Sequence, residues 1–396
     1  MSYMAGYNDK TIPFYKVSKH IMRVLIVNTL YYPYKIGGAE VSVQLLAEEL
    51  TRKGHQVRVV CLHNEKEKKT DIINGVEVIY LPLKNIYWPF SDVQEGKIKR
   101  LFWHIIDNYN ILMANELSKE IDEFKPDVVH TNNIAGFSVA IWAEVKKRKI
   151  KLVHTSRDYY LFHPNSIMFS KNKNMEPEET SVKFWSFVKK IASKRVDKYI
   201  GISNYIRKFH MENGFFTKAS TNYIYNAVEK LPVAVNCSDS LRFGFIGRLT
   251  KDKGFDIYCR LAEKLRLRYP NATFCAAGRF NPKDEKELQE LAIASNIELH
   301  GFIPVNEFLA IVDIVVLPLK WREPFGRVVI ESVMANKTVL TNSVGGISEL
   351  KELFSKIYFL EKLDEVDLSE IEPNNNNGEL FTYSETASRY LNEYKF

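Results

Sequence analysis

Short apolar runs alternate with amphipathic stretches along most of the chain. The first pair is clear, because Arg23–Asn28 has the composition of a buried strand and apolar residues from about Ala39 recur every three or four positions, as on one face of a helix. Further strands of the first half are predicted at Val57–Cys61, Val76–Leu81, Asp127–His130, Lys151–Thr155 and Lys198–Ser203. Strands and helices that alternate in this way form parallel sheets with crossover connections.

A second alternation begins after a polar break near Tyr223–Asp239. Its strands are predicted at Leu241–Ile246, Ala272–Ala277, Ile297–His300, Asp313–Leu317 and Thr338–Thr341. Its helices are predicted at Phe255–Arg268, Lys283–Ser295, Val305–Val312 and Gly326–Ala335. The pattern therefore predicts an α/β protein with two Rossmann-like domains, whose parallel sheets face a cleft between the domains.

The same pattern suggests where the domains begin and end. The predicted segments are an N-terminal extension (1–20), a first Rossmann-like domain (21–225), a linker (226–240), a second Rossmann-like domain (241–375) and a C-terminal helix (376–396). A chain of 396 residues is too long for one ordinary core, which favours two domains. Within the first domain, Asn85–Trp103 has no clear period, and we expect a loop that leads into a helix running on through Glu123.

Composition excludes several classes of protein. The chain is 45% hydrophobic and 26% charged, as is usual for a globular protein. Residues 1–20 lack the apolar segment of a secretory signal, and no apolar run is long enough to span a bilayer. Four cysteines lie far apart without C-x-x-C spacing, so buried free thiols are favoured over a disulfide or a zinc site. These features predict a cytoplasmic protein.

The net charge of +7 is unevenly distributed, with basic clusters at 146–151 and 183–198. Solvated helix faces are the ordinary explanation for such clusters. The second cluster also contains Phe184, Trp185 and Phe187, a mixture that suits an anionic membrane surface. Association with the inner face of the plasma membrane therefore remains open. No nucleic-acid-binding motif accompanies either cluster, so no nucleic-acid partner is predicted.

Two glutamates near the end of the chain are the first candidates for chemistry. Glu323 precedes Pro324, which favours an extended backbone, while Glu331 falls on about the second turn of the helix that follows. Both carboxylates are expected to face the crevice beyond the carboxyl ends of the strands, where open α/β sheets bind ligands. The helix dipole alone would explain one acidic residue here. Two acidic residues, one on each side of Pro-Phe-Gly, indicate a ligand site.

Two strand-to-helix turns could hold an anion. Gly37 and Gly38 lie where the first loop meets the first helix, where backbone N–H groups can approach a ligand closely. The turn lacks G-x-G-x-x-G, which counts against a nicotinamide or flavin enzyme. Arg248 and Lys253 lie on the first turn of the second domain, and together they suit a diphosphate clamp. Surface salt bridges would explain either residue by itself.

Together these motifs resemble the retaining glycosyltransferases of family 4, which have the GT-B fold. The resemblance extends from about Met22 to Leu350. The motifs that carry it are G-G-A-E at 37–40, D-V-V-H at 127–130, G-R-L-x-x-x-K-G at 247–254, E-P-F-G-R-V-V-I-E at 323–331 and G-G-I-S-E at 345–349. The resemblance implies transfer of a sugar from a nucleoside-diphosphate sugar to a hydroxyl acceptor with retention of configuration. It implies no metal and no other cofactor.

The resemblance also implies roles for the donor-side residues. Arg248 and Lys253 would hold the diphosphate and stabilise the leaving nucleotide. Glu331 would bind the ribose hydroxyls. Glu323 would accept hydrogen bonds from the donor sugar, assisted by backbone amides near Phe325 and Gly326. Gly37 and Gly38 of the first loop match glycines that, in these enzymes, approach the donor from the other domain.

A histidine is also expected near the reacting centre. His154, towards the end of a first-domain strand, resembles the histidine that these enzymes place beside the donor sugar, although a core histidine is the alternative. His130, Arg157 and Asp158 are weaker candidates. The acceptor is expected to be a lipid-linked or membrane-surface glycan in bacterial polysaccharide assembly, because the first domain is basic and rich in aromatic residues.

Four other readings are weighed against this one. A catalytically silent sugar-nucleotide-binding subunit would be free to lose Glu323, Glu331, Arg248 and Lys253, and the chain has all four. A related nucleotide-sugar epimerase would act on the donor without an acceptor, and a phosphorylase should carry a pyridoxal-phosphate lysine. Double displacement through an enzyme carboxylate is disfavoured, because Glu323 is expected to bind sugar hydroxyls.

Overall fold

A computed structural model describes residues 21–34, 37–91, 95–229, 240–368 and 377–395. The predicted N-terminal extension, most of the predicted linker and Cys237 lie outside the described residues. The predicted domain boundaries therefore stay predictions.

Runs of Val, Ile and Leu form the centre of the first sheet, because its inner strands are covered on both faces. Its first six strands are β1 (Arg23–Val27), β2 (Gln56–His63), β3 (Lys69–Ile73), β4 (Val76–Pro82), β5 (Val128–Thr131) and β6 (Lys151–Ser156). A separate hairpin follows β6, formed by β7 (Phe169–Ser170) and β8 (Lys173–Asn174). The last two strands of the first sheet are β9 (Lys198–Gly201) and β10 (Ser220–Tyr223).

The described strands of this sheet are arranged in the order β10-β9-β6-β5-β1-β2-β4-β3. All pairs are parallel except β3 with β4, which form an antiparallel edge. The helices of the domain are α1 (Gly38–Arg52), α2 (Lys97–Asn108), α3 (Ile111–Phe124), α4 (Ile141–Lys147), α5 (Thr180–Ser193) and α6 (Asn204–Glu212).

The second sheet is wholly parallel within the described residues, in the order β13-β12-β11-β14-β15-β16. Its strands are β11 (Arg242–Ile246), β12 (Thr273–Ala277), β13 (Glu298–Leu299), β14 (Ile314–Leu317), β15 (Thr338–Thr341) and β16 (Ile357–Phe359). The helices of this half are α7 (Phe255–Arg268), α8 (Glu285–Ala294), α9 (Val305–Ile311), α10 (Arg327–Met334) and α11 (Ile347–Leu350). Two 3₁₀ helices (Leu360–Glu365 and Gly378–Phe381) and α12 (Tyr383–Glu393) follow.

The predicted α/β class with two parallel sheets is confirmed, and most elements lie within a few residues of their predicted bounds. The strands β3, β10 and β16 were missed, because edge strands are short and their polar outer faces dilute the apolar pattern. The helix expected to run on through Glu123 is in fact two helices. Asn110 ends the continuity, since its side chain accepts a hydrogen bond from the backbone of Met113 at 3.1 Å and caps α3.

The last helix, α12, packs against α1 of the first domain. The Tyr394 hydroxyl hydrogen-bonds to Nδ1 of His130 at 2.7 Å. Glu393 receives Lys198 Nζ at 2.5 Å and Asn222 Nδ2 at 2.5 Å. The C-terminal helix α12, which follows the second domain in the sequence, thus packs on the first domain.

Several contacts join the domains directly beside the cleft. The Arg322 guanidinium donates to the carbonyl of Met175 at 2.9 Å and forms an ion pair with Glu176 at 2.5 Å. The Tyr159 hydroxyl donates to the Arg322 carbonyl at 2.7 Å. Glu349 accepts from two backbone N–H groups at the start of α6, one of them that of Asn204 at 3.0 Å. These contacts hold the loops after β6 and β14 face to face.

Candidate functional site

A cavity of about 470 Å³ lies between the two sheets. The first domain contributes Gly37, Gly38, Glu40, Arg157, Asp158 and Asn226 to its wall. The second domain contributes Arg248, Lys253, Trp321, Glu323, Phe325, Gly326 and Arg327. A larger cavity of about 580 Å³ lies nearby around Asn204, Arg322 and Glu349, where the domains already hold one another. The smaller cavity is the candidate site, since it collects most of the residues that the sequence singled out.

The turn between β11 and α7 carries the predicted clamp. Gly247 and Gly254 have φ angles of +142° and +77°, which glycine adopts without strain. A Cβ atom on Gly254 would lie 1.8 Å from the carbonyl oxygen of Pro318, so only glycine lets the turn pack against the end of β14. This close packing places Arg248 and Lys253 on the cavity wall.

Lys253 is paired in this structure. Its Nζ lies 2.6 Å from Oε2 of Glu323 and 4.6 Å from the centre of the Trp321 ring, an arrangement that combines an ion pair with a cation–π contact. Arg248 is more exposed, and its partner is Asp252 at 3.3 Å. The lysine is thus held in place, while the arginine is freer to turn towards an anion.

Glu323 is held by the loop that follows β15. The N–H of Gly346 donates to the Glu323 carbonyl at 2.7 Å, and the Ser203 hydroxyl donates to the Pro324 carbonyl at 2.6 Å. A Cβ atom on Gly345 would lie 2.2 Å from the Glu323 carbonyl, and one on Gly346 would lie 2.4 Å from that of Pro324. The motif G-G-I-S-E therefore positions the backbone that carries Glu323.

Glu331 occupies a different environment from Glu323. It is 6% exposed, and its Oε1 accepts from Nε of Arg327 at 2.6 Å. Burial raises the pKa of Glu331. The expectation that both glutamates face the crevice is correct for Glu323 only, because Glu323 lines the cavity whereas Glu331 is buried and paired with Arg327. Its predicted contact with ribose hydroxyls stays a prediction.

Arg327 is a cavity residue that the sequence analysis missed. It follows Gly326, whose φ of +87° begins α10. Arg327 Nη1 and Nε1 of Trp321 are buried N–H groups of the cavity wall that have no hydrogen-bond partner within the described part of the chain. Buried donors of this kind are ordinarily satisfied, so both need a partner that the described residues do not supply. The arginine in E-P-F-G-R was the sequence signal.

The glycines of the first loop lie across the cleft from Arg327. A Cβ atom on Gly38 would come within 3.3 Å of Arg327 Cδ, so the absence of a side chain makes room between the domains. The Gly37 N–H donates to Oε2 of Glu40 at 2.8 Å, which closes the start of α1. These residues lie where the sequence predicted them.

Arg157 and Asp158, only weak candidates in the sequence, both line the cavity. Arg157 is 7% exposed and donates to Asn226 Oδ1 at 2.5 Å and Asn132 Oδ1 at 3.0 Å. Burial raises the pKa of Asp158 to about 6. Both residues follow the last residue of β6, and the carboxyl-end rule for parallel sheets would have selected them.

His154 does not line the cavity. It is 2% exposed, its Nδ1 hydrogen-bonds to the Thr131 hydroxyl at 2.9 Å, and its ring packs between Trp142 and Phe216. Burial lowers its pKa well below the usual value. The expectation of a histidine beside the donor sugar is therefore not met by His154 in this structure, because the residue lies inside β6 rather than beyond its end. His130 is likewise buried.

The described residues contain no group of three or more His, Cys, Asp or Glu side chains arranged to hold a metal ion. Among the helices that the structure describes, none is long and apolar enough to cross a bilayer.

Comparison with known families divides the chain close to the predicted linker. Residues 36–230 match the family described as Glycosyltransferase Family 4, and residues 232–367 match Glycosyl transferases group 1. An uncharacterized 42.6 kDa protein in cps region of Klebsiella pneumoniae is 47% identical over 377 residues, which cover 94% of this chain and 100% of that protein.

Solved structures of low sequence identity have the same fold. Anabaena HepE, in complex with UDP and glucose, superposes with a TM-score of 0.60 at 17% identity, over 94% of this chain and 91% of that chain. The catalytic domain of starch synthase IV from Arabidopsis thaliana, bound to ADP and acarbose, gives 0.60 at 14% identity, over 95% and 92%. The predicted GT-B fold is thereby confirmed.

Proposed function

The chain belongs to the glycosyltransferases of family 4 and group 1, and from this premise we propose that it moves a sugar from a nucleoside-diphosphate sugar to a hydroxyl acceptor with retention of configuration and without a metal. The observation that carries the proposal is the meeting of Lys253, Arg248 and Glu323 in one interdomain cavity. Relatives of this fold that hold UDP with glucose, or ADP, support a nucleotide donor.

The diphosphate would bind between Lys253 and Arg248. In the ligand-free cavity Lys253 is neutralised by Glu323 at 2.6 Å. A diphosphate offers Lys253 a stronger anionic partner, which frees the Glu323 carboxylate to accept hydrogen bonds from sugar hydroxyls. The buried N–H group of Arg327 offers a third donor to the phosphates. One exchange of partners would thus couple phosphate binding to sugar binding.

The remaining donor contacts follow from the wall of the cavity. Backbone N–H groups near Phe325 and Gly326, at the start of α10, would assist Glu323 in holding the sugar. Glu331 would bind the ribose once Arg327 turns to the phosphates. Gly37 and Gly38 would contact the donor from the first domain.

In the transfer, the bond between the anomeric carbon and the diphosphate oxygen breaks, and a bond to the acceptor oxygen forms on the same face. The acceptor proton passes to a diphosphate oxygen. The developing charge on that diphosphate is stabilised by the cations Lys253 and Arg248 on the cavity wall.

The acceptor would be a lipid-linked or membrane-surface glycan in bacterial polysaccharide assembly, at the inner face of the plasma membrane. The similarity to a protein in a cps region supports this setting. The basic and aromatic character of the first domain supports it independently.

Thermal unfolding with nucleotides tests the donor site. Purified protein would be heated with UDP, GDP, ADP, CMP and their common sugar conjugates. A ligand at one hundred times its Kd adds about 2.7 kcal/mol to the stability of the folded protein. We expect a selective shift for one diphosphate, lost in Lys253→Ala. The matched control is Lys251→Ala. Lys251 lies on the same turn as Lys253, and its loss breaks a surface ion pair with Glu287 at 2.7 Å.

A shift that survives Lys253→Ala would contradict the clamp. No shift with any nucleotide would contradict the donor site itself. A shift without any transfer would favour the silent sugar-nucleotide-binding subunit, and turnover of a bound donor without an acceptor would favour the epimerase.

A further inference from the structure

Helix α2 exposes an apolar face to solvent. Of its twelve residues only Trp103 and Asp107 are buried. Ile98, Leu101, Phe102 and Ile105 recur at helical spacing on the opposite side, and Ile98 and Phe102 are 74% and 53% exposed. Amphipathic helices of globular proteins ordinarily turn such a face inward.

Helix α5 lies beside α2 and repeats the arrangement. The two helices meet through His104 and Trp185, whose ring centres are 6.1 Å apart. On α5, Phe184 and Phe187 are 62% and 64% exposed. We call the exposed apolar residues of both helices the α2–α5 surface, which consists of Ile98, Leu101, Phe102, Ile105, Phe184 and Phe187. Exposed apolar patches of this extent mark interaction sites.

The exposed charges carried by α2 and α5 themselves are basic, and the adjacent Glu95 pairs with one of them, Lys99, at 2.6 Å. Lys97, Lys99 and Arg100 are exposed on α2, and Lys183 is exposed on α5. Within these two helices the one acidic residue is Asp107, which is buried. Apolar side chains interleaved with cations complement a surface that is apolar below and anionic above, as a phospholipid bilayer is. A second copy would bring like charges together in a symmetric contact.

The two helices rest on the loop that forms the cavity wall. Asp107 of α2 accepts from the Tyr160 hydroxyl at 2.9 Å, and Lys189 of α5 donates to the Tyr160 carbonyl at 2.7 Å. Tyr160 is joined in turn to Asp158, whose Oδ1 accepts from the Tyr160 N–H at 2.8 Å. The α2–α5 surface and the first-domain wall of the cavity therefore share one support.

We propose that the α2–α5 surface docks onto an anionic phospholipid bilayer, with its apolar side chains among the headgroups and its cations on the lipid phosphates. This inference rests on the proposed function, because it names the surface by which the protein would reach a lipid-linked acceptor. The docked protein lies on the bilayer surface, and Asp158 and Tyr160 connect that surface to the cavity.

Vesicle cosedimentation tests the docking. The full chain would be mixed with vesicles of phosphatidylglycerol and phosphatidylcholine, and with vesicles of phosphatidylcholine alone. We expect binding to the anionic vesicles that weakens at high salt, and roughly tenfold or greater loss in Phe184→Ser/Phe187→Ser. The control variant is Leu267→Ser/Ile293→Ser, which removes two residues of the second domain that are 86% and 73% exposed, and it should bind as the parent does.

Three further readouts separate the explanations. The thermal shift with nucleotides should be unchanged in Phe184→Ser/Phe187→Ser, since the cavity is untouched. If the parent ignores anionic vesicles, or the Phe variant binds them equally well, the docking proposal is overturned. It is also overturned if the parent is a dimer that the Phe variant separates. If nucleotides give no shift while lipid binding depends on the two Phe residues, the donor proposal fails and docking stands.

Discussion

Two glutamates eight positions apart in one motif, Glu323 and Glu331, have different environments. Glu323 reaches the cavity and pairs with Lys253, whereas Glu331 is buried under Arg327. The difference arises at Gly326, where the chain turns from an extended segment into α10. A residue type at a given spacing therefore indicates the chemistry available, while the backbone turn between the residues decides which side chain meets a ligand.

The same reasoning explains why Arg157 and Asp158 line the cavity and His154 does not. Side chains within a central strand enter the layers above and below the sheet, and those just past its end enter the cleft. The predicted strand ended at Thr155, whereas β6 extends to Ser156. The family resemblance, not the strand end, selected His154, which lies inside the strand in the prediction as in the structure.

At the residue scale, we predict a pH-dependent effect of Asp107→Asn. Burial raises the pKa of Asp107 to about 6, so the carboxyl is neutral in the folded state where an unfolded one is already charged. This stability is fully present below the unfolded pKa and is lost as pH rises through 6. Between pH 4 and pH 7 the free energy of unfolding of the variant should improve relative to the parent by up to about 3 kcal/mol.

Urea unfolding of both proteins at several pH values measures this difference. Titrating groups remote from residue 107 affect both proteins alike, so the difference between variant and parent reports on Asp107 and on Lys189, whose pKa burial lowers and Asp107 raises. A constant difference across the range would contradict a buried neutral carboxyl at this position.

At the scale of elements, the turns rather than the strands carry the chemistry. Parallel strands bring the carboxyl ends of β11 and β14 to one edge of the second sheet, and glycines let the loops there approach one another closely. The missed strands β3, β10 and β16 lie at sheet edges, where few constraints act on the sequence, and none supplies a cavity residue.

We predict that Gly254→Ala disrupts the clamp. The added Cβ would lie 1.8 Å from the Pro318 carbonyl oxygen, in addition to the strain of φ +77°. The expected loss is about 3 kcal/mol of stability or more, because backbone must move. Gly214→Ala is the matched control, with φ +81° and no atom within 4 Å of the new Cβ. It should cost only about 1 kcal/mol.

Thermal melting and nucleotide binding would be measured for both glycine variants. Equal losses of stability would show that backbone conformation alone matters. Unchanged nucleotide affinity in Gly254→Ala would show that the turn does not fix Lys253 and Arg248.

At the scale of the whole molecule, the cavity exists because two domains are held face to face. Arg322 of the second domain reaches the segment after the β7–β8 hairpin of the first, where it contacts Met175 and Glu176. Because both domains line the cavity while the proposed clamp lies on the second alone, any loosening of this contact should weaken transfer more than nucleotide binding.

We predict that Arg322→Ala lowers kcat/KM for transfer about tenfold, equivalent to roughly 1.4 kcal/mol of lost domain contact. Its nucleotide Kd should change little, since the clamp lies wholly on the second domain. Small-angle scattering should show a larger radius of gyration without ligand. Arg148→Ala is the control, because it breaks a similarly exposed ion pair with Asp122 inside the first domain. Equal effects of both variants would contradict the interdomain role.

The sequence alone determined the fold class, the family and many of the residues that line the cavity. Periodicity and turn residues are local properties, and Gly37, Gly38, Arg248, Lys253 and Glu323 lie on turns whose positions such properties fix. Only the tertiary structure decided which side chains from distant strands meet. It brought Arg157, Asp158 and Arg327 into the cavity and His154 into the core, and it aligned α2 and α5 in one exposed surface. Such contacts depend on sheet order and domain packing, which no local pattern records.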